Sequence, residues 1–324
     1  MNGLFVISLD FELNWGVFDC ISVEEYNENL NNVPEVINRL LELGKKYNIN
    51  YTFATVGMLF NQNKEELLKS IPTIKPAYIN EKYNSYRIVE NAGNSEKEDK
   101  IHYAKSLIEK IKQYSNHEIA SHTFSHFYCK ELGQNITSFE DDLKSFSKVA
   151  DNTNIKLKSI VFPKNQINEL YLSLCKKYGI TSYRGTEKSF LYKPKAEGKT
   201  ALITRFLRLL DSYVNITGAN IYKPKDLNNG EIINIPSSRF LRPFNQKIHF
   251  LENYKIRRIT NGMKKAAETN SIYHLWWHPH NFGKNLEENF KNLEKIFAEY
   301  KKLNKNNSFS SVTMTKAHDL IKKK

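Results

Sequence analysis

Short apolar runs alternate along the chain with longer stretches in which apolar residues recur every three or four positions. The short runs are rich in β-branched and aromatic residues, as buried strands are, and the longer stretches have the period of amphipathic helices. The predicted strands are Leu4–Leu9, Tyr51–Thr55, Glu118–Ser121, Ser159–Phe162, Thr181–Tyr183, Ile232–Ile235, Tyr273–Trp277 and Ser310–Met314. The predicted helices are Val33–Tyr47, Ile101–Tyr114, Ser138–Ala150, Asn168–Tyr178 and Leu286–Leu303. This alternation predicts an α/β fold, in which eight strands and their helices form a barrel or a distorted relative of one.

Two segments interrupt the alternation. Residues 76–100 are polar and contain several tyrosines, among them Tyr86, so we expect a loop excursion on one face of the protein. Residues 187–270 are basic and include two amphipathic stretches, ITRFLRLLDSYV and NYKIRRITNGMKKAAE. A lid, a membrane-surface element or ordinary packing helices would each explain these stretches. We expect a single domain over residues 1–324 that carries both segments as insertions.

The composition is that of an ordered globular protein, with 40% hydrophobic and 26% charged residues. The three cysteines form no C-x-x-C pair, which argues against a disulfide framework or a cysteine zinc site and favours a reducing, cytoplasmic location. Asp10 and Glu12 interrupt the N-terminal apolar run, as expected for a buried strand rather than a signal peptide. No apolar stretch approaches the ~18–20 residues of a membrane span, so we expect no transmembrane segment.

The net charge of +13 is concentrated in one part of the chain. Residues 191–268 contain 15 Lys or Arg against 6 Asp or Glu and so supply +9 of it. Such an excess favours an anionic partner, although lysines on solvated faces would explain part of it. Because no nucleic-acid recognition motif accompanies the charge, we expect no nucleic-acid binding. A phosphate on a nucleotide sugar or polyprenyl carrier, or the inner face of a membrane, fits better, with Arg205, Arg208, Arg257 and Arg258 as candidate contacts.

Two carboxylates mark the end of the first predicted strand. Asp10 and Glu12 are two residues apart in SLDFELNWG, so their side chains should point the same way. In β/α barrels the carboxyl ends of the strands open into the active site. Two like charges at such a position are costly unless a cation or a proton lies between them. This pair therefore suggests a metal site, whereas the simpler alternative is a solvent-facing pair at the start of a loop.

A pair of histidines follows the third predicted strand. His122 and His126 in HEIASHTFSH have a four-residue spacing, which would place both imidazoles on one helical face. Such a pair arises by chance often enough to be weak evidence alone. Its position after a strand, like that of Asp10 and Glu12, predicts that all four side chains converge. One carboxylate with two histidines leaves open coordination positions, as catalytic metal sites do.

Two further strand ends carry candidate chemistry. In HLWWHPHNF, either His278 or His280 could act as a general acid, because imidazole titrates close to neutral pH. Trp276 and Trp277 should point to opposite faces, so that one of them lies in the core. In KSIVFPKNQ, a proline-fixed turn precedes Lys164, and the following backbone N–H groups form a candidate oxyanion cradle.

Taken together and in order, these segments resemble the polysaccharide deacetylase family, the NodB-like carbohydrate esterases, whose fold is a distorted (β/α) barrel of seven or eight strands. The family's first motif, in its D-x-E form, falls on Asp10 and Glu12, and its H-[ST]-x-x-H motif falls on residues 122–126. YTFATVG at residues 51–57 looks like the family's second strand. The general-acid motif falls on His278 and Pro279. The resemblance covers about residues 3–185 and 271–321, and FPKNQ is similar to a subgroup associated with surface-polysaccharide biosynthesis.

The sequence departs from the family in its third motif, R-x-P-[YF]. Val161 occupies the arginine position, so the usual salt bridge to the catalytic base is expected to be absent unless Arg184, in SYRG, substitutes. Lys164 follows the proline of the motif. A glutamate rather than an aspartate at position 12 should hold the metal slightly farther from the strand.

The resemblance implies a metal-dependent hydrolase that removes an acyl group, most commonly acetyl, from an amino sugar. Zn²⁺ is the expected metal, with Glu12, His122 and His126 as ligands. The implied roles are Asp10 as base, His278 as acid and the Lys164 backbone N–H as oxyanion donor. The side chains expected to contact the substrate are Arg184, Gln166, Asn165, Trp277, His280 and Tyr86.

Three other functions stay open on the sequence alone. The same fold and metal site would suit a C–N hydrolase of formamides, cyclic imides or other non-sugar amides. Loss of the motif arginine would also be compatible with a catalytically weak glycan-binding protein. A two-histidine, one-carboxylate site suits Fe(II) oxygenases as well, but these typically use an all-β scaffold, which the alternating pattern argues against.

Overall fold

A computed structural model describes residues 2–192, 202–305 and 308–323. Within these residues nine strands form one sheet, and neighbouring strands in it run parallel. The strands are β1 Gly3–Phe11, β2 Thr52–Thr55, β3 Glu118–Ser121, β4 Ser159–Ile160, β5 Ser182–Tyr183, β6 Ile233–Asn234, β7 Arg239–Phe240, β8 Ile272–Trp277 and β9 Phe309–Val312. Because all run the same way, their carboxyl ends lie at one end of the sheet.

The sheet is rolled into a distorted barrel in the order β6-β5-β4-β3-β2-β1-β8-β7. Strand β9 pairs with residues 3–6 of β1, and β2 pairs with residues 8–11 on the same edge of β1. The chain between β6 and β7 links the two ends of this order, because Ser237 N donates to Gly185 O after β5 and Ser238 N donates to His274 O in β8. The predicted distorted (β/α) barrel is therefore confirmed.

Ten α-helices among the described residues pack around the sheet. They are α1 Val23–Asn31, α2 Val33–Tyr47, α3 Lys64–Ser70, α4 Lys105–Lys112, α5 Ile136–Asn152, α6 Leu172–Lys177, α7 Leu202–Leu210, α8 Glu252–Glu268, α9 Leu286–Asn304 and α10 Met314–Lys322. Helix α2 shows why the apolar period dictates this packing. A proline in its first turn starts it, its apolar residues are buried on one face, and Asn48 in the left-handed region (φ 55°) ends it.

Strand β1 is the centre of the core, since all nine of its residues are buried. It pairs with β8 along six residues on one edge and with β9 and β2 on the other. Both faces of a central parallel strand are covered, so apolar side chains fill both. Ser8 and Asp10 are the polar residues in this strand, and both are buried, which directs attention to its carboxyl end.

The predicted elements agree with the structure apart from their ends and a few short elements. All eight predicted strands are present, and the two-residue strand β7 was not predicted. The helix predicted at residues 168–178 is a 3₁₀ turn followed by the short α6. Residues 76–100 form turns, including 3₁₀ turns at Glu81–Tyr83 and Ser85–Asn91, as expected for a loop excursion.

Residues 187–270, predicted as the basic insertion, contribute β6, β7 and α8 to the barrel as well as α7. They are thus partly integral to the fold rather than added to it. Residues 193–201 of this segment lie outside the described part of the chain. Among the described helices, none combines the length and the apolar character that crossing a membrane requires.

Candidate active site

The carboxyl ends of β1 and β3 bring three metal-ligating side chains together. Glu12 Oε2 lies 3.1 Å from both His122 Nε2 and His126 Nε2. All three residues are buried, with at most 3% of their surface exposed. Their candidate ligand atoms lie within 4.8 Å of one another. The cluster is the predicted one, and within the described residues it is the only such group.

The loop that carries the two histidines is not helical, so the predicted helical face was wrong. Thr123 and His126 adopt left-handed backbone conformations, with φ of 61° and 57°. Such conformations are uncommon for residues other than glycine and need support from their surroundings. The turn brings the imidazoles of His122 and His126 to a ring-centroid distance of 5.1 Å.

Asp142 on α5 supplies much of that support. Its buried carboxylate accepts hydrogen bonds from the backbone N–H groups of Phe124 and Ser125 and from the Ser125 hydroxyl, at 2.7 to 3.0 Å. Burial raises the pKa of Asp142 to about 6, and these hydrogen bonds oppose that rise. Within the loop, Thr123 Oγ1 also accepts from the backbone N–H of Phe127 at 2.7 Å. The positions of both histidines thus depend on a helix that follows them in sequence.

Both imidazoles are oriented as metal ligands usually are. His122 Nδ1 is bonded to Val161 O at 2.8 Å, and His126 Nδ1 lies 3.1 Å from the Tyr128 hydroxyl. A backbone carbonyl can only accept, so His122 carries its proton on Nδ1 and presents a lone pair on Nε2. Burial raises the pKa of Glu12, but His278, His122 and His126 outweigh it and hold that pKa well below its usual value. An ionised carboxylate beside two Nε2 atoms fits a divalent cation.

Asp10 is held by an arginine from another strand end. Arg184, directly after β5, donates from Nη1 to Asp10 Oδ1 at 2.6 Å and from Nη2 to Oδ2 at 2.7 Å. Both side chains are almost completely buried. Burial alone would raise the pKa of Asp10, but Arg184, His122 and His278 together lower it below its usual value. The salt bridge that Val161 cannot make is therefore made by Arg184.

Arg184 is itself fixed on several sides. Its Nη1 donates to Ser8 Oγ at 3.0 Å, and its Nη2 donates to Asn165 Oδ1 at 3.1 Å. The Trp276 ring lies against the guanidinium, 4.1 Å from the carbon to the ring centroid. Ser8 Oγ lies 2.9 Å from Nε2 of the buried His274. Arg184 holds Asp10 directly and Asn165 does so through Arg184, and the predicted contact of both residues with substrate stays a prediction.

His278 lies beside both carboxylates after β8. Its Nε2 is 3.7 Å from Asp10 Oδ2 and 3.5 Å from Glu12 Oε1. With 23% of its side chain exposed, it is the most accessible of these groups. His280 is more deeply buried, and its Nε2 is 3.9 Å from Glu12 Oε1. Exposure therefore favours His278 over His280 for contact with a substrate.

Lys164 follows β4 in a left-handed conformation, with φ 50° and ψ 22°. Its ammonium pairs with the buried Asp19 carboxylate at 2.5 Å and lies 4.6 Å from the centroid of the Tyr128 ring. The ammonium group is thus held by Asp19 and the Tyr128 ring. These contacts leave the predicted role of the backbone N–H as a hypothesis that rests on position.

Two other predicted substrate contacts do not fit their positions. Trp277 is fully buried and stacks on Phe282, so it is the core member of the tryptophan pair. Gln166 is 1% exposed, accepts from Lys130 N and donates to Glu131 Oε1. Neither side chain is available to a ligand in this arrangement. Tyr86 is half-buried against the main core, and its contact with substrate stays a prediction.

Several residues of the site were not predicted from the sequence. Asp142 lies on the buried face of α5, three residues after Phe139 and four before Phe146, and Ser8 and His274 lie within strands. Phe240, in the two-residue β7, packs edge-on against His278 at a ring-centroid distance of 5.8 Å. A buried polar residue in a strand next to Asp10 was the available signal for Ser8.

The chain is a parallel β/α barrel that carries a carboxylate and two histidines at the carboxyl ends of its strands. The family model described as polysaccharide deacetylase matches residues 18–183, about half of the chain. The chain belongs to the polysaccharide deacetylase family. This is a family of hydrolases, and the match includes His122 and His126 but not Asp10 or Glu12.

Solved structures share the fold at low sequence identity. A Mycobacterium smegmatis protein described as a polysaccharide deacetylase has a TM-score of 0.61 at 12% identity, covering 99% of this chain and 90% of that one. The Puue allantoinase has a TM-score of 0.54 at 11% identity, covering 98% and 89%. A GH57-type branching enzyme from Pyrococcus horikoshii has a TM-score of 0.54 at 14% identity, covering 98% and 70%. No curated protein sequence matches the chain significantly.

Proposed function

We propose that this protein is a metal-dependent hydrolase that removes an N-acyl group, in the first instance acetyl, from an amino sugar. The observation that carries the proposal is the approach of Glu12, His122 and His126 beside the Asp10–Arg184 pair. This combination supplies a cation site and an ionised base at one barrel end. We further propose that the substrate belongs to the synthesis of a surface polysaccharide or glycan precursor.

Glu12, His122 and His126 would hold the metal. Two imidazole nitrogens and one carboxylate oxygen form a donor set that suits Zn²⁺ and leaves coordination positions for other ligands. When bound, such an ion acts as a Lewis acid toward the amide carbonyl and an attacking water. The fixed Nδ1 contacts of both histidines support this role, because they keep Nε2 directed at Glu12.

Asp10 would accept the proton of the attacking water. The Arg184 fork keeps this carboxylate ionised and oriented, at some loss of basicity, while each oxygen retains a further lone pair for the water. His278, 3.7 Å from Asp10, would donate a proton to the departing amine nitrogen. The Lys164 backbone N–H would donate to the oxyanion. The products would be a carboxylate and a free amino sugar.

The substrate panel should test sugar and non-sugar amides in parallel. N-acetyl and N-formyl amino sugars, free, nucleotide-linked and lipid-linked, would be compared with cyclic imides on zinc-loaded protein. The readouts are release of carboxylate and amine from the sugars and formation of the ring-opened half-amide from the imides. We expect turnover of an N-acyl sugar. If only imides or simple formamides turn over, the amino-sugar assignment is wrong, although a hydrolase remains.

A further inference from the structure

Helix α7 (Leu202–Leu210) exposes its apolar side chains to solvent. Leu202 is 81% exposed, Ile203 63% and Phe206 57%, and none of the helix residues is buried. Leu209 and Leu210 are each more than one third exposed. A helix of a soluble globular protein normally turns such a stripe toward the core. The stripe therefore lacks a covering element among the described residues.

The opposite side of α7, which carries the half-buried Thr204, Leu207 and Arg208, faces the protein instead. Arg208 Nε donates to Leu191 O at 2.6 Å, and its guanidinium lies 5.6 Å from the centroid of the Tyr192 ring. Thr204, which shares this side of the helix at a spacing of four residues, is half-buried. Five of the six apolar side chains of α7 are thus exposed, and the sixth, Leu207, is half-buried.

The end of α7 is fixed to the barrel rather than loosely attached. The Asp211 carboxylate, fully buried, accepts from the Tyr192 hydroxyl at 2.8 Å and from Arg239 Nη1 at 3.0 Å. Ser212 Oγ accepts from Arg242 Nε at 2.8 Å. Because buried charges are costly unless they are paired, this network indicates that the fold specifies the position of the exposed helix.

A second exposed apolar group lies on the segment that holds the end of α7. Residues 241–257 contain Phe250, 65% exposed, and Tyr254, 57% exposed. Arg242 joins this segment to α7 through Ser212, and Lys255 Nζ donates to Arg242 O at 2.9 Å. We call residues 202–214 and 241–257 together the α7 surface.

The charge of the α7 surface has one sign. Its only acidic residues, Asp211 and Glu252, are buried and pair with Arg239 and Lys255 inside the protein. The exposed charged side chains are all cations, and none has a carboxylate partner among the described residues: Arg205, Lys247 and Arg257. Apolar side chains flanked by cations are typical of segments that lie in the interface of an anionic membrane.

We propose that the α7 surface docks on an anionic lipid bilayer, with the apolar face of α7 in the headgroup region. A second copy of this chain fits less well, because a symmetric contact would bring the same cations against each other. Anionic headgroups complement them, and no membrane-spanning helix is needed for this mode of binding.

The α7 surface also adjoins the candidate active site. The Arg242 guanidinium lies 5.9 Å from the centroid of the Phe240 ring, which in turn contacts His278. Docking would hold the His278 side of the site near the bilayer, where an amino sugar on a lipid carrier would be presented. This consequence for the substrate rests on the proposed function, whereas docking itself does not.

Vesicle flotation of the full-length protein tests the docking directly and needs no activity. Vesicles of phosphatidylcholine alone are compared with vesicles that also contain phosphatidylglycerol. We expect binding to the anionic vesicles that weakens with salt, and little binding to phosphatidylcholine. In a Phe206→Trp variant, the indole emission should shift to shorter wavelength on binding.

Two pairs of substitutions separate specific docking from general attraction. Ile203→Ser with Phe206→Ser should weaken binding by at least about tenfold, since both side chains would be withdrawn from the interface. Leu68→Ser with Ile79→Ser, which changes equally exposed apolar residues elsewhere, should leave it unchanged. Arg205→Glu with Lys247→Glu should weaken binding more than Lys45→Glu with Lys316→Glu, which alters the net charge equally.

Three results would overturn the proposal. The first is a wild type that does not bind anionic vesicles at low salt. The second is an Ile203→Ser, Phe206→Ser variant that binds as well as the wild type. The third is a concentration-dependent dimer of the wild type that the same double substitution abolishes. This result would show that the apolar face of α7 binds a second copy of this chain. None of these results depends on amide hydrolysis, so failure of the docking and failure of the proposed function are distinguishable.

Discussion

Arg184 and Asp10 are 174 residues apart in sequence, yet two parallel hydrogen bonds of 2.6 and 2.7 Å join them at the centre of the site. The arginine comes from the end of β5, whereas the family motif would place it after β4, where this chain has Val161. The planar guanidinium matches both carboxylate oxygens, which a lysine ammonium cannot do. We therefore assign Arg184 as a positioning residue for Asp10.

Substitution of Arg184 should affect activity more than metal binding. Arg184→Lys keeps a positive charge but loses the fork, so we expect kcat to fall by roughly 10–100-fold with the metal content unchanged. Arg184→Met leaves the buried Asp10 unpaired and should lower the free energy of unfolding by about 3–5 kcal/mol. Urea unfolding and metal analysis would check both. Equal kcat for Arg184→Lys and wild type would remove the positioning role.

Removal of a proposed metal ligand should abolish tight metal binding. We expect zinc affinity to fall by at least about 100-fold in each of three variants, Glu12→Gln, His122→Ala and His126→Ala. Loss of a ligand should cost more than loss of a residue that only hydrogen-bonds to a ligand, which costs about 10–100-fold. Competition with a chromogenic chelator measures this without an activity assay. His274→Gln is the matched control, since His274 is buried near the site but outside the cluster. Unchanged affinity in the ligand variants would place the metal elsewhere.

Asp142 should be required for the shape of the histidine loop. Asp142→Ala leaves two buried backbone N–H groups and one hydroxyl without their acceptor, at about 1–3 kcal/mol for each unsatisfied group. We expect lower stability and weaker zinc binding together. Asp141→Ala changes the half-buried neighbour on the same helix, which makes no contact with the histidine loop in the described hydrogen bonds, and should have little effect on zinc. Weakened stability with normal zinc affinity would show that Asp142 does not position the histidines.

Acidification should destabilise the protein through His274. Burial, followed by the proximity of Arg184, lowers the pKa of His274 to about 3, and its Nδ1 lies 3.0 Å from Ile235 O. In the unfolded chain this histidine titrates near 6.5, so the unfolded state binds more protons below that pH. The free energy of unfolding should fall by up to about 1.4 kcal/mol per pH unit between pH 6.5 and 3 from this residue.

The variant His274→Gln isolates this contribution. A glutamine amide can still donate to Ile235 O and accept from Ser8, but it does not titrate. Unfolding free energies measured from pH 7 to pH 4 should therefore show a shallower dependence in the variant. Parallel pH curves for the two proteins would mean that His274 titrates normally in the folded state.

The sequence predicts the barrel well, because its strands are apolar runs whose length and spacing need no tertiary information. Glu12, His122 and His126 were also identified, since each follows such a run. The shape of the HTFSH loop was not, because a four-residue spacing is compatible with a helix or with a turn stabilised from Asp142. Alternation predicted that one of Trp276 and Trp277 lies in the core, but only the packing shows that it is Trp277.

The role of Arg184 could not be predicted from the sequence. The partner of Asp10 comes from a strand end whose position depends on the order of the strands in the sheet. Local sequence patterns do not determine that order. The exposed side of α7 is a similar case, since an amphipathic period predicts a buried face without saying whether it packs on protein or on another surface.

In the proposed mechanism, Asp10 acts as a base beside a bound metal. Single-turnover hydrolysis of an N-acetyl amino sugar, with zinc content determined on the same samples, tests it most directly in wild type and Asp10→Asn. We predict full zinc occupancy in both proteins and a rate lower by about 10²–10⁴-fold in the variant. Equal rates at equal zinc occupancy would contradict the assignment of Asp10 as the base. No amide hydrolysis by the zinc-loaded wild type would contradict the proposed activity.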